Sequence, residues 1–209
     1  MQNTKLKLMF VTFLTVVRFP LVLLFVAGAV VYSLYGKALG KDWIYHVSFY
    51  CLACSAITDL FDGYFARRFN VETKFGAHAD PLIDKFFYLA SFPLLVFVAV
   101  RNNHTTDSVI LLILTVLFLG RDQWVTFLRS IGSMYNVSGS ANWAGKLRTI
   151  INFPLICCIY HYEEAPHNIL NGTFIYAYEA LAFGINFLSL YVYTKKYWPY
   201  VKQTISLKK

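Results

Sequence analysis

TDLFDGYFARRFNVETKFGAHADPLIDK, residues 58–85, concentrates charge in a chain that is otherwise apolar. It holds five of the chain's eleven acidic residues, whereas the 209-residue chain as a whole is 57% hydrophobic and 14% charged. Charged groups at membrane depth cost on the order of a few kcal/mol each unless they pair or bind a metal. Their concentration in one stretch therefore indicates a functional site.

The spacing of the aspartates predicts a metal site. Asp59 and Asp62 are three residues apart and Asp80 and Asp84 four apart, so each pair shares one face of a helix. A polar turn between the pairs lets the second helix return antiparallel to the first; it contains Arg67, Arg68, Asn70, Glu72 and Lys74. Facing carboxylates repel unless cations lie between them, and oxygen ligands suit Mg²⁺ or Mn²⁺. We predict two ions, roughly 3.5–4 Å apart, that clamp the oxygens of a phosphoryl displacement.

The same residues resemble the signature of the CDP-alcohol phosphotransferases, membrane enzymes that move a substituted phosphate from a CDP-alcohol to a second alcohol. The pattern is Asp59-x2-Asp62-Gly63-x2-Ala66-Arg67-x8-Gly76-x3-Asp80-x3-Asp84, and all eight fixed positions match. The resemblance implies that the four aspartates hold the metals and that Asp84, at their edge, is the general base. It also implies a CDP-binding set, which is Asp62, Gly63, Ala66, Arg67 and Gly76.

Long apolar runs separated by short polar turns predict an all-α polytopic membrane protein. The mean hydropathy is +0.51, and aromatic residues make up 18% of the chain. We expect one domain over residues 1–209 with six transmembrane helices. The predicted spans are Met9–Tyr35, Trp43–Phe65, Pro81–Val100, Ser108–Phe127, Leu147–Tyr160 and Thr173–Tyr193.

Basic residues predict the orientation of these spans. With both termini in the cytoplasm, only Lys37, Lys41 and Arg101 fall on the opposite side. The aspartates then face the cytoplasm, as expected for an enzyme of the bacterial inner membrane that uses water-soluble substrates. The basic tail, residues 195–209, reads either as an interfacial anchor to anionic lipid or as a solvated segment.

Arg18 lies inside the first apolar run, three residues after Thr15. Two interpretations stay open: its side chain extends to the inner interface, or this face of the helix turns toward the substrate phosphates. Thr15-Val-Val-Arg18 is similar to the T-x-x-R of the first helix in bacterial phosphatidylglycerophosphate synthases. That similarity makes both residues candidates for the site.

A second group of charges lies in residues 120–149. Arg121 and Arg129 are eight residues, or about two helical turns, apart and can share one face, and Lys146 begins the fifth helix. Guanidinium forks match phosphate oxygens and lysine adds a point charge. We therefore predict a pocket for a phosphate monoester beside the metal site. Arg148 reads as an ordinary cytoplasmic basic residue or as a further member of the pocket.

This second region resembles the segment G-R-E…T-x-L-R…G-K-x-K-T of phosphatidylglycerophosphate synthases, with Asp122 for the usual Glu and Arg148 for the usual Lys. The resemblance implies that Arg121, Arg129 and Lys146 bind the phosphate of glycerol 3-phosphate. The activity it implies is transfer of a phosphatidyl group from CDP-diacylglycerol to glycerol 3-phosphate with release of CMP. The expected partners are these two substrates, membrane lipid and a second copy in a homodimer, and no nucleic acid.

Two other functions, a transferase with a different acceptor and a transporter, would require different roles of the charged residues. Sister enzymes would use another acceptor. Inositol phosphate also needs a cationic pocket. Phosphatidylglycerol or serine would leave Arg121 and Arg129 with less of a role in binding the acceptor. A cation or proton transporter would need acidic groups spread through the membrane depth. The aspartates cluster at one end of the predicted spans, so the sequence favours the transferase.

Overall fold

The structure is a computed structural model that describes residues 2–69, 74–137 and 143–206, in parts of which only the backbone is described. Over these ranges the chain forms six α-helices, one π-helical turn and no strand. The helices are α1 (Gln2–Val31), which runs into the π-helical turn Tyr32–Gly36, then α2 (Asp42–Phe69), α3 (Lys74–Arg101), α4 (Thr105–Met134), α5 (Trp143–Glu164) and α6 (Gly172–Ser206). The all-α prediction is confirmed.

Four helical segments among the described residues are long and apolar enough to cross a membrane. They are Met9–Gly36, Leu82–Arg101, Thr105–Met134 and Gly172–Ser206. The chain is therefore an integral membrane protein. The helices α2 and α5 carry more polar and charged residues, so six spans with cytoplasmic termini stay a prediction.

The helices extend further than the predicted spans, above all around the signature. Because α2 continues to Phe69 and α3 begins at Lys74, residues Arg67, Arg68 and Lys74 are helical and the predicted polar turn was too long. Arginine and lysine are good helix formers, and neither proline nor glycine interrupts residues 64–69. Asn70 and Glu72 lie outside the described residues.

The chain packs as two compact units. The first comprises residues Met1–Leu111 and Ile156–Leu170, and in it α1 packs against both α2 and α3. Its core is aromatic: the Phe25 and Tyr160 rings meet edge to face at 5.1 Å, and Tyr45 stacks on Tyr160 at 5.7 Å. Such ring pairs stabilise a core beyond the area that they bury.

The second unit comprises Leu112–Leu155 and Asn171–Lys209. Its core joins α4 to α6 through Val125, Leu128, Ile131, Tyr193, Tyr197 and Val201. The helix α6 runs on to Ser206, and the Tyr135 hydroxyl lies 3.0 Å from Thr204 Oγ1. The tail is therefore helical as far as Ser206, with Tyr197 and Val201 buried and Lys195, Lys196 and Lys202 exposed. Lipid anchoring stays a prediction.

Candidate active site

The helices place each aspartate pair as the spacing predicted. Asp59 and Asp62 lie on α2, and Asp80 and Asp84 lie within the first three turns of α3. Residues three or four apart on a continuous helix lie on the same face. Within each pair the register therefore allows both carboxylates to bind the same ligand.

Several predicted site residues have side chains that lie outside the described part of the structure. For these positions the structure gives only the helix on which they lie, and their roles stay predictions. They are Asp59, Asp62, Gly63, Ala66 and Arg67 on α2, Gly76 and Asp80 on α3, and Lys146 on α5.

Asp84 is described in full, and its partner is Arg18 of α1. The Arg18 Nη1 atom donates to Asp84 Oδ1 at 2.9 Å; the Arg18 side chain is 3% exposed and that of Asp84 41%. Arg18 is thus buried against an aspartate of the signature and does not extend to an interface. Thr15, one turn earlier, is also buried and donates to the Val11 carbonyl oxygen at 3.4 Å.

The Arg18–Asp84 pair affects what Asp84 can do. The hydrogen bond from Arg18 fixes the orientation of the Asp84 carboxylate at Oδ1. An ionised carboxylate is what both a metal ligand and a proton acceptor require. The Asp84 side chain is 41% exposed, so its carboxylate is accessible to a ligand.

In the second unit, Asp122 joins two arginines. The Arg121 Nη1 atom donates to Asp122 Oδ1 at 2.9 Å and the Arg148 Nη2 atom to Asp122 Oδ2 at 3.0 Å. Both arginines are buried, with exposures of 7% and 6%. The interpretation of Arg148 as an ordinary cytoplasmic basic residue is therefore wrong, since its charge is held inside the unit.

Helix α6 supplies further contacts of these arginines. Arg121 donates to the Ser189 hydroxyl, and Arg148 Nε donates to Asn186 Oδ1 at 3.0 Å. The guanidinium of Arg148 also lies over the Phe118 ring, 4.4 Å from its centroid. Cations in an apolar setting need such partners because an unpaired charge is costly to bury.

Tyr193 lies between Arg121 and Arg129. Their guanidinium carbons lie 5.0 and 5.2 Å from its ring centroid, and Arg129 Nη2 donates to its hydroxyl at 2.9 Å. The shared face predicted for the two arginines is thus confirmed. A Cβ atom on Gly145 would lie 2.9 Å from the same hydroxyl, so glycine at the start of α5 permits this close approach.

Sequence reasoning missed the contribution of α6. Asn186, Ser189 and Tyr193 are spaced by three and four residues on one helix face, and all are buried. Polar residues at that period inside an apolar span were a signal that could have been read. They showed no match to a known motif, so only the structure connects them to the arginines.

Comparison with known protein families identifies the family of this chain. A sequence model of the CDP-alcohol phosphatidyltransferases matches residues 9–186. This chain belongs to that family. It is therefore an enzyme of phospholipid biosynthesis that transfers a substituted phosphate group, and enzymes of this family depend on divalent metal ions.

Relatives of this CDP-alcohol phosphatidyltransferase share one name, CDP-diacylglycerol–glycerol-3-phosphate 3-phosphatidyltransferase. The protein from Pseudomonas fluorescens is 27% identical over 168 residues, which cover 78% of this chain and 81% of the relative. The protein from Cereibacter sphaeroides is 32% identical over 134 residues, 62% of this chain and 55% of the relative. The protein from Yersinia pestis strain Pestoides F is 27% identical over 147 residues, 69% and 74% of the two chains.

Proposed function

We propose that this protein transfers the phosphatidyl group of CDP-diacylglycerol to sn-glycerol 3-phosphate, giving phosphatidylglycerophosphate and CMP. The observation that carries the choice of acceptor is the buried arginine cluster of the second unit. In its described contacts, the guanidinium groups of Arg121 and Arg148 meet one carboxylate, that of Asp122, and the guanidinium group of Arg129 lies over the Tyr193 ring. The names of the relatives support the same pair of substrates.

The excess of positive charge in the cluster favours an anion. Arg121 and Arg148 share Asp122, which leaves the charge of Arg129 for a further partner. Arg129 is more exposed than the other two and makes one described hydrogen bond through Nη2. A phosphate monoester supplies two negative charges and oxygens that match a guanidinium fork. Serine has a carboxylate, but its ammonium group balances that charge, so it brings no net negative charge to this cluster.

The aspartates supply the second half of the proposal. Four carboxylates at helical spacing, of which Asp84 is partly exposed, fit a hard divalent ion, and we propose that they bind two Mg²⁺ or Mn²⁺ ions. Bound metal would neutralise the negative charge that develops on the departing CMP. Arg67 and the small residues Gly63 and Ala66 follow Asp62 on α2, where we propose that they bind the CDP group.

The transfer itself exchanges one phosphorus–oxygen bond for another. The C1 hydroxyl oxygen of glycerol 3-phosphate bonds to the phosphatidyl phosphorus, and the bond from that phosphorus to the oxygen of CMP breaks. We propose that Asp84 accepts the hydroxyl proton. Arg18 orients this carboxylate through Oδ1, and the partial exposure of the Asp84 side chain leaves it accessible to the acceptor. CMP leaves with the electron pair of the broken bond.

The site is proposed to face the cytoplasm, where glycerol 3-phosphate and CMP are soluble. The distribution of basic residues supports this orientation, because a cytoplasmic position of both termini leaves few of them on the other side. A homodimer is proposed from the family resemblance alone.

A panel of acceptors tests the assignment. Purified full-length protein is incubated with CDP-diacylglycerol, Mg²⁺ and one acceptor at a time, and CMP release is followed. We expect release with glycerol 3-phosphate and little with free glycerol, because glycerol leaves a buried cationic pocket unpaired. Release with inositol phosphate, phosphatidylglycerol or serine while glycerol 3-phosphate stays inert would contradict the proposed acceptor and leave only the family.

Tyr193 provides a finer test of the acceptor site. Tyr193→Phe keeps the ring between the arginines but removes the hydroxyl that accepts from Arg129. We expect KM for glycerol 3-phosphate to rise about two- to tenfold, the value of one hydrogen bond, with KM for CDP-diacylglycerol unchanged. The matched control is Tyr197→Phe, one turn further along α6 in the same buried cluster. Equal effects of the two substitutions on both constants would mean that Tyr193 only fills the core.

A further inference from the structure

A second group of potential metal ligands lies in the first unit, away from the signature. His104 Nδ1 is 2.9 Å from Glu163 Oε2 and 3.7 Å from Asp107 Oδ2, and one ligand atom from each residue lies within 4.8 Å of the others. His104 precedes α4, Asp107 is in its first turn, and Glu163 is near the end of α5. Two chain segments, the start of α4 and the end of α5, therefore meet at these side chains.

This group is separate from the aspartate site. Asp84 and the C-terminal residue of α3, Arg101, are 17 residues apart on one helix, which is roughly 26 Å along its axis. His104 follows Arg101 by three residues. A ligand of the His104 group thus lies too far away to contact Asp84.

Two buried carboxylates at the end of α5, those of Glu163 and Glu164, favour a cation nearby. Glu163 and Glu164 are the last two residues of α5, where the helix dipole disfavours negative charge, yet their side chains are 1% and 0% exposed. Lys37 Nζ lies 3.3 Å from Glu164 Oε1 and forms an ion pair with that carboxylate. Glu163 contacts His104, and the same imidazole also lies 3.7 Å from Asp107 Oδ2, so two carboxylates approach one histidine.

The orientation and hydrogen bonding of the Glu163 carboxylate also suit it to binding a metal ion. Asn102 Nδ2 donates to Glu163 Oε2 at 3.0 Å, which fixes the orientation of the carboxylate. Its other oxygen, Oε1, is buried and has no hydrogen-bond partner among the described residues. Ligating carboxylates in metal sites are commonly fixed by such outer hydrogen bonds. The Glu163 carboxylate thus has one oxygen, Oε2, beside the His104 imidazole and another, Oε1, with unused lone pairs, which suits it to coordination.

We propose that His104, Asp107 and Glu163 bind a divalent transition-metal ion such as Zn²⁺, at a site distinct from the catalytic aspartates. One nitrogen and two oxygen donors suit zinc, which commonly takes three protein ligands and a water molecule. Magnesium prefers oxygen donors alone. The ion would fasten the α3–α4 turn to the end of α5. His104 is 46% exposed, which gives an ion access from solvent.

The test is zinc binding to the purified full-length protein in detergent, after chelation and in excess Mg²⁺ to occupy the aspartate site. We expect one Zn²⁺ per chain by elemental analysis, and at least about tenfold weaker binding by titration calorimetry in His104→Ala, Asp107→Asn and Glu163→Gln. His167→Ala is the matched control, because this exposed histidine lies in the same unit and should leave binding unchanged.

Two further measurements separate the outcomes. Zinc should raise the Tm of the parent and of His167→Ala but not of Glu163→Gln, a near-isosteric change. Zinc binding should also persist in Asp80→Asn, whose activity is lost if the proposed function is right. The inference is overturned if the parent binds no zinc, if the three ligand variants bind it like the parent, or if Asp80→Asn alone abolishes binding.

Discussion

Replacement of Asp80 by asparagine is expected to lower the rate of CMP release at least about 10²-fold. Asparagine keeps the shape of the side chain but removes a negative charge and an anionic ligand from the proposed metal site. Stabilisation of charge in the transition state is commonly worth that factor or more. Asp59→Asn should behave alike, since both residues lie on the helices that carry the signature. Initial rates at saturating CDP-diacylglycerol and glycerol 3-phosphate measure the effect.

The control for these variants is Asp42→Asn. Asp42 is in the first turn of α2, the helix that carries Asp59, and it accepts a hydrogen bond from the Tyr32 hydroxyl at 3.2 Å. Its replacement should leave the rate within about twofold of the parent, because it lies seventeen residues from Asp59. EDTA should abolish activity, and Mg²⁺ or Mn²⁺ without zinc should restore it. Full activity in chelator would refute a metal-dependent mechanism here.

The helical register of the signature could be predicted because it depends on local spacing. Asp59 with Asp62, and Asp80 with Asp84, lie on the helices expected from three- and four-residue intervals. The ends of those helices could not be predicted as well. A basic segment such as Ala66-Arg67-Arg68 reads as a turn by charge but continues as helix, because its intrinsic helix propensity is high.

The partners of the buried charges could not be predicted, because they depend on which helices pack together. Arg18 pairs with Asp84, 66 residues away, and Arg148 pairs with Asp122 and Asn186. In the sequence, each arginine stands out as a charge in or near an apolar run. Its partner is set by long-range packing, which no local spacing encodes.

The buried state of Arg121 also changes what its substitution should do. Its Nη atoms already contact Asp122 and Ser189, so part of its role is to hold the cluster together. Loss of Arg121 would leave the Asp122 carboxylate with Arg148 and the buried Ser189 hydroxyl without its donor. Arg129, with one described hydrogen bond, is the better probe of acceptor binding.

Arg129→Gln is therefore expected to raise KM for glycerol 3-phosphate roughly ten- to a hundredfold, with little change in KM for CDP-diacylglycerol. A charge-assisted hydrogen bond to phosphate is worth about 1.5–3 kcal/mol, which corresponds to that range. Arg129→Lys should lie between the parent and Gln, because lysine keeps the charge but lacks the planar fork. Arg121→Gln should raise the same KM and also lower Tm, since it disturbs the pair with Asp122.

Lys202→Gln is the matched control for the charge. It removes one positive charge from an exposed position on α6, the helix that carries Tyr193. An exposed lysine has no expected contact with the acceptor, and long-range effects of its charge are screened at physiological ionic strength. Steady-state rates with each substrate varied in turn separate the two KM values. If Arg129→Gln leaves KM for glycerol 3-phosphate unchanged, or raises both KM values equally, the arginines stabilise the second unit and the acceptor phosphate binds elsewhere.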